Sequence, residues 1–373
     1  MRAFLRPTLA LAALLPAVLL LFAAAMRSFE ESVPLETVSE TTANVSLGDL
    51  NGDGFLDIVL AKGRHWPLPD VVLFGDGKGH FRPGPPLPNK PDRSYSAPLA
   101  DLNGDGALDM VISNDRPDPK VVLLNDGKGR FTLAGTFGDP HWPTRNVVLA
   151  DLNGDKSPDI AVANRPGPSY VCFNDGKAHF TCRPLGPETS ATILAGDMDG
   201  DGSQDLVVAC RDACQSVVYL NDGKGNFPRK LPFGPKQSST RAIAVADFDG
   251  DGHLDIAACH EGEGLYVYFN NGKGGFGPGV EIAGRDALPY SMLAADLNKD
   301  GKPEIIVGYV EAPGAIYFND GSGHKYTRVP FGDNKGAIYG LAAADLDGDG
   351  FPDIVAARSD APSLIFFSRP VRK

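Results

Sequence analysis

The chain has 373 residues, 42% of them hydrophobic and 22% charged, with 47 Asp and Glu against 35 Lys and Arg for a formal net charge of −12. That balance leaves little electrostatic attraction for a phosphate backbone, and no nucleic-acid partner is expected. Beyond its N-terminal segment the chain shows no sustained 3.6-residue apolar period, which speaks against a helical fold.

The first residues read MRAFLR and then PTLALAALLPAVLLLFAAA, a basic start, an apolar centre and a small-residue end at Ala23, Ala24 and Ala25. This is the pattern of a signal peptide over residues 1–25. Left uncleaved, the same stretch has the borderline length of an anchor, the one way this chain would touch a membrane. No Cys follows it, which argues against a lipoprotein anchor. In either case residues 26–373 lie outside the cytoplasm, secreted, periplasmic or at the cell surface.

At position 49 the chain reads DLNGDGFLDI, and close variants return with first acids Asp49, Asp101, Asp151, Asp197, Asp247, Asp296 and Asp345, at steps of 52, 50, 46, 50, 49 and 49 residues. Self-similarity at such a period marks a repeat architecture. After each acidic segment come a short apolar run (LDIVLA, PDIAVA), a Gly/Pro/charged break, and a second apolar run (VVLF, VYVYFN). Except in the last unit, a turn of the type NDGKGRF follows. Asn-Gly and Asp-Gly between β-prone runs signal hairpins, because these residues reach positive φ at little cost. Each unit is therefore four short antiparallel strands, A to D. The acidic segment is the A–B hairpin, at 49–57, 101–109, 151–159, 197–205, 247–255, 296–304 and 345–353, and the NDGKG-type turn is the C–D hairpin. Four-stranded units repeated radially make a β-propeller. The expected fold is all-β, a seven-bladed propeller over 26–373.

The ends show how such a ring closes. Phe81, Phe131, Phe227 and Phe276 each stand 20 residues before the next first Asp, and Phe29 stands 20 before Asp49, in a stretch, SFEESVPLE, with no hairpin of its own. The last unit stops after its third strand, SLIFF. Residues near 29–36 are expected to supply the missing outer strand of the seventh blade.

Cys172 and Cys182 bracket one C–D hairpin and Cys210 and Cys214 one B–C loop, so two local disulfides are expected outside the cell. Cys259 occupies a slot that holds Ala61, Ser113, Ala163, Ala209, Gly308 and Ala357 in the other units, and reads as a small buried filler.

The acidic segment follows DxNxDGxxD or DxDxDGxxD, with oxygen-bearing side chains at places 1, 3, 5 and 9. Alternate spacing around a tight turn points these oxygens inward, and hard oxygen ligands in flexible number suit Ca²⁺ better than Mg²⁺. An EF-hand loop would need an acid at place 12, where this chain has Leu60, Ile112, Val162, Val208, Ala258, Val307 and Ala356. Vacant, three or four carboxylates per hairpin repel one another. Folding is therefore expected to couple to calcium, with affinities on the order of 10⁻⁴ to 10⁻³ M.

DLNGDGxLDI and VxLNDGKGxF, repeated along almost the whole mature chain, resemble the bacterial VCBS and FG-GAP repeat proteins, closer to the VCBS type, and are similar to the propeller of integrin α-subunits. The resemblance implies up to seven Ca²⁺. By place, the ligands would be Asp49, Asn51, Asp53 and Asp57; Asp101, Asn103, Asp105 and Asp109; and Asp151, Asn153, Asp155 and Asp159. The later blades would give Asp197, Asp199, Asp201 and Asp205; Asp247, Asp249, Asp251 and Asp255; Asp296, Asn298, Asp300 and Glu304; and Asp345, Asp347, Asp349 and Asp353. Two hairpins depart from the pattern: Lys156 replaces the Gly at place 6, and Glu304 is longer than Asp. These two are expected to bind least tightly.

In propellers the A–B and C–D hairpins share one face, the bottom, and the D–A and B–C loops form the top. Six residues before each first Asp stand Ala43, Tyr95, Arg145, Ala191, Arg241, Tyr290 and Tyr339, and the B–C loops add Arg64, His65, Arg116, Arg165, Arg211, His260, Glu261 and Arg358. Both tryptophans, Trp66 and Trp142, lie in His-Trp-Pro words of top loops. Arg, Tyr and Trp are the residue types of binding hot spots. Trp66, Tyr95, Trp142, Arg145, Arg241, His260, Tyr290 and Tyr339 are therefore the candidate ligand residues. The expected function is binding of an extracellular protein or glycan through this face. The alternatives are a polysaccharide lyase or hydrolase using the Tyr, Arg and His groups, and a structural module of a surface assembly. No GxSxG, HExxH, CxxC or phosphate-loop motif appears.

Overall fold

A computed structural model describes residues 26–272, 275–285 and 288–371; the signal segment expected at 1–25 lies outside the described residues. Every helix or strand in this part of the chain is a β-strand. The strands form seven antiparallel sheets in the order A–B–C–D, arranged as a seven-bladed propeller. The third blade is representative, with strands Thr144–Ala150, Asp159–Asn164, Ser169–Asn174 and Phe180–Gly186.

Burial explains the strand sequences. Strand B is covered on both faces, so Ile160, Ala161, Val162 and Ala163 are all apolar and without solvent contact. The outer strand D meets solvent, and Phe131–Phe137 carries Thr132, Leu133 and Ala134 exposed. Seven apolar clusters fill the seven gaps between neighbouring blades. One of them joins Val355, Ala357 and Ile365 of the seventh blade to Val45, Ile58 and Leu60 of the first, which closes the ring. Only the second blade has a broken strand A, Ser94–Ser96 and Leu99–Ala100, interrupted where Pro98 has no N–H to give the ladder.

The closing strand is Ser32–Pro34, paired antiparallel with Leu364–Phe366 as the outer strand of blade 7, inside the span the sequence marked. A further two-residue ladder pairs Arg27–Ser28 with Arg369–Pro370. Between closing strand and first blade, Glu36 and Glu40 both reach the buried ammonium of Lys62. Cys172 faces Cys182 across the C–D ladder of blade 3 (Cα–Cα 3.8 Å), and Cys210 is bonded to Cys214 across the B–C turn of blade 4. Cys259 is a buried free thiol in the cluster between blades 5 and 6.

One irregularity recurs in every blade. The A–B register slips near the start of strand A, skipping one residue each time: Ala43, Tyr95, Arg145, Ala191, Arg241, Tyr290 and Tyr339. These are the seven positions six residues before the first Asp. A bulge leaves its extra residue outside the ladder and re-aims the side chain, and here it does so seven times around one axis.

Candidate functional site

All seven bulge residues line a single cavity of about 360 Å³ at the top of the central channel. The B–C loops add Arg64, His65, Arg165 and Arg211. Five guanidiniums thus meet in one basin. Their carboxylate partners are Asp115 for Arg145 (2.7 Å), Asp212 for Arg165 (2.6 Å), and Glu261, shared by Arg211 and Arg241 at 2.9 Å each. Arg64 has no carboxylate partner among the described residues. Its guanidinium lies over the Tyr339 ring at 3.6 Å and faces Tyr95 at 5.7 Å, and its Nε is buried without a hydrogen-bond partner. Arg241 caps Tyr290 at 3.5 Å and Arg145 caps Tyr95 at 4.5 Å.

Titration behaviour at the mouth reflects burial first and neighbouring charge second. Burial, then Arg64 and Arg145, holds the His65 imidazole below its ordinary value. Burial, then Arg241 and Arg165, pulls Arg211 down, and burial pushes Tyr339 up to about 12. The basin is therefore positive at neutral pH, on a chain that is acidic as a whole.

Five of the eight candidate ligand residues, Tyr95, Arg145, Arg241, Tyr290 and Tyr339, line this cavity. Three do not. Trp142 is stacked on Tyr170 at 3.9 Å, packed against the core between blades 2 and 3. His260 is the last residue of its strand B rather than a loop residue; it is buried, with Nδ1 near Ser238 and Thr240 and Nε2 2.7 Å from Tyr268 Oη. Trp66 is 70% exposed and outside the cavity lining. Arg358 is likewise turned to Asp333.

At the opposite face the acidic hairpins are built on closely similar backbone-to-carboxylate bonds. Outside blade 6 the place-1 Asp accepts from the N–H groups of places 4 and 6, as in Gly52 to Asp49 Oδ1 (2.8 Å) and Gly54 to Asp49 Oδ2 (2.9 Å); in blade 6 Asp296 accepts from places 5 and 6, Asp300 and Gly301. The place-9 carboxylate is buried and spans two hairpins. Asp57 accepts from Leu50 N–H in its own loop (2.8 Å) and from Gly75 N–H where strand C ends (2.9 Å). Burial outweighs these bonds and raises the carboxyl, to about 6 for Asp159, Asp205 and Asp353 and about 7 for Asp255. Glu304 is pushed up to about 8; only one of its oxygens is bonded, to Leu297 N–H, and Oε1 is buried without a partner. Lys156 holds place 6 at φ 72°, where the other blades have Gly. The C–D turn adds a strut that its spacing did not announce. In blades 2 to 6 the Asn opening the turn donates to the place-2 carbonyl of the preceding blade's hairpin, as Asn125 does to Leu50 (2.8 Å) and Asn174 to Leu102 (2.9 Å); blade 1 has Gly75 there.

A family model described as the FG-GAP-like repeat matches six overlapping stretches, residues 49–112, 101–162, 151–208, 197–258, 247–307 and 300–356. The chain belongs to the FG-GAP-like repeat family. Among solved structures, this FG-GAP-like propeller is similar to an Agrocybe aegerita lectin that recognises non-reducing terminal N-acetylglucosamine (TM-score 0.59, 19% identity, 87% of each chain covered). It is also similar to BBS1N, solved in complex with ARL6DN (TM-score 0.64, 12% identity, 94% of this chain and 98% of that one), and to the Dos1 propeller (TM-score 0.58, 11% identity, 90% and 84%). At these identities the likeness is one of fold. No curated protein matches the chain.

The hairpins of the FG-GAP-like repeats offer a divalent ion only oxygen donors. In blades 4, 5 and 7, three carboxylates each bring an oxygen within 4.8 Å of the others: Asp197, Asp199 and Asp205; Asp247, Asp249 and Asp251; and Asp345, Asp347 and Asp353. Asp199 Oδ1 is buried with no hydrogen-bond partner, and its carboxylate has no ion pair among the described residues. That donor set fits a hard cation such as Ca²⁺.

Proposed function

We propose that this FG-GAP-like propeller is an exported binding module that takes an anionic group of a protein or glycan partner into the mouth of its channel, with calcium in the acidic hairpins holding the ring rigid. The observation that carries the reading is the charge count at the mouth. Five arginines line it, three carboxylates pair with them, and Arg64 has none. A guanidinium held over aromatic rings with no carboxylate beside it can act as a fork for a carboxylate or sulfate. Bulges on rigid strands aim seven of the lining side chains, and short B–C loops carry Arg64, His65, Arg165 and Arg211, so little order is lost on binding. The two cystine pairs support export.

The test is calorimetry of the mature chain in calcium against uronate-containing, sialylated and sulfated oligosaccharides and an acidic peptide, beside neutral sugars. The expected result is binding of an anionic probe that weakens with salt and falls at least about tenfold in Arg64→Ala, with unchanged melting. Binding of neutral sugars alone, or an Arg64→Ala variant with undiminished affinity, would contradict the reading. Tyr95 Oη lies 3.3 Å from His65 Nε2, an acid–base pair at the mouth. Release of product from a bound polysaccharide, lost in Tyr95→Phe, would move the assignment to a polysaccharide-active enzyme.

A further inference from the structure

The seventh acidic hairpin differs from the other six in what faces it. In blades 1 to 6 the second residue of the C–D turn, after Gly75, Asn125, Asn174, Asn221, Asn270 or Asn319, is Asp76, Asp126, Asp175, Asp222, Asn271 or Asp320, an acid or amide. Blade 7 has no such turn. Ser368 takes the equivalent place: its N–H bonds Asp353 Oδ1 at 2.8 Å, as Asn174 N–H bonds Asp159 Oδ1 at 2.8 Å and Asn125 N–H bonds Asp109 Oδ1 at 2.9 Å. The next residue is Arg369, a cation where the other blades carry an acid or amide.

Arg369 Nη1 lies 2.7 Å from Asp347 Oδ2 and 3.5 Å from Asp349 Oδ2, and its Nε donates to Glu31 Oε2 at 2.8 Å. The N-terminal ladder partner supplies a second guanidinium. Arg27, itself buried, places Nη2 3.2 Å from Asp349 Oδ2, donates from Nε to Ser368 Oγ at 2.8 Å, and lies 3.7 Å over the Phe351 ring of the same hairpin. Asp347 and Asp349 are places 3 and 5 of the ligand pattern. In the other six hairpins no ligand-place carboxylate has an ion pair among the described residues.

We propose that the seventh hairpin is not a calcium site but a clasp, in which arginines from the two chain ends neutralise Asp347 and Asp349 in place of a divalent ion. The loop keeps the shape of a metal site, since Asp345, Asp347 and Asp353 still bring oxygens together. What differs is its charge: two of its four carboxylates, Asp347 and Asp349, are already paired with guanidiniums, which leaves only Asp345 and Asp353 without a cation among the described residues. An ion entering it would have to displace two guanidiniums, one of them buried, or lie against them. The location has a physical logic. Blade 7 is the only blade whose C and D strands are not joined by a covalent turn, so its seam opens if the hairpin loses its cation. A cation tethered to each end of the chain does not diffuse away when calcium is scarce.

The inference rests on calcium binding in the other hairpins, whose own failure would show as no calcium retained by the parent chain. The test counts calcium by equilibrium dialysis and elemental analysis on the full mature chain and on two double variants, Asp347→Asn/Asp349→Asn and Arg27→Gln/Arg369→Gln. The first is expected to bind as many ions as the parent. The second is expected to gain one ion, to melt lower than the parent in chelator, and to recover most of that loss in millimolar calcium. Loss of one ion in the acid pair, or no gain in the arginine pair, overturns the clasp. Should the arginine pair fail to fold, the count for the acid pair decides alone.

Discussion

The seven bulge residues carry most of the top-face chemistry, and their identities vary where their geometry does not. Ala43 and Ala191 widen the basin on two sides, and Arg145, Arg241 and three tyrosines fill the rest. Their fixed interval before the first Asp was readable in the sequence; the register slip that turns them into the channel was not, because period-2 alternation is silent about an extra residue. His260 shows the converse error. Spacing placed it in a loop, but strand B continues through it, and its ring is satisfied inside the blade by Ser238, Thr240 and Tyr268. At the bottom face, Lys156 bears a side chain at positive φ, which costs an L-residue about 1 kcal/mol relative to Gly. Lys156→Gly is therefore expected to raise metal-free stability by roughly that amount, measured by urea unfolding in chelator, and to tighten calcium at the third hairpin by removing a nearby positive charge. A variant no more stable than its parent, with unaltered calcium titration, would contradict both effects.

Single hairpins are the elements that hold blade to blade. The place-9 carboxylate ties the A–B hairpin to the C–D turn of its own blade, and the turn Asn ties that blade to the hairpin of the one before. Asn174 uses its whole side chain for this. It donates to Leu102 and Pro158 carbonyls at 2.9 and 3.2 Å and accepts from Gly176 and Ala178 N–H groups at 3.0 and 3.1 Å. Asn174→Ala leaves buried backbone groups unpaired and is expected to cost about 2 to 3 kcal/mol by urea unfolding in calcium; a loss under about 0.5 kcal/mol would show the strut to be idle. The strands and both hairpin types were legible because turn chemistry and apolar runs recur in step. The struts were not, because they join units about 70 residues apart in sequence, and an Asn at a turn is already accounted for by its tolerance of positive φ.

For the molecule as a whole, charge and closure are one problem. The acidic hairpins hold 24 of the 47 Asp and Glu and three of the 35 Lys and Arg, so the rest of the chain has 23 acids against 32 Lys and Arg. The formal acidity is concentrated at the bottom face, where buried place-9 carboxyls already sit well above their ordinary value without metal. Such a ring is least stable when metal-free at a pH high enough to ionise those groups, and calcium should reverse the deficit. Seven gaps filled by seven apolar clusters, with the N-terminal strand completing the last blade, give the scaffold its shape. The measurement that bears most directly on this is the melting temperature of residues 26–373 at pH 7.5 in chelator and in millimolar calcium, with bound metal counted in both. A rise of at least about 10 °C in calcium, accompanied by several retained ions, is expected. Identical melting with no calcium retained would contradict a ring held by ions in its acidic hairpins.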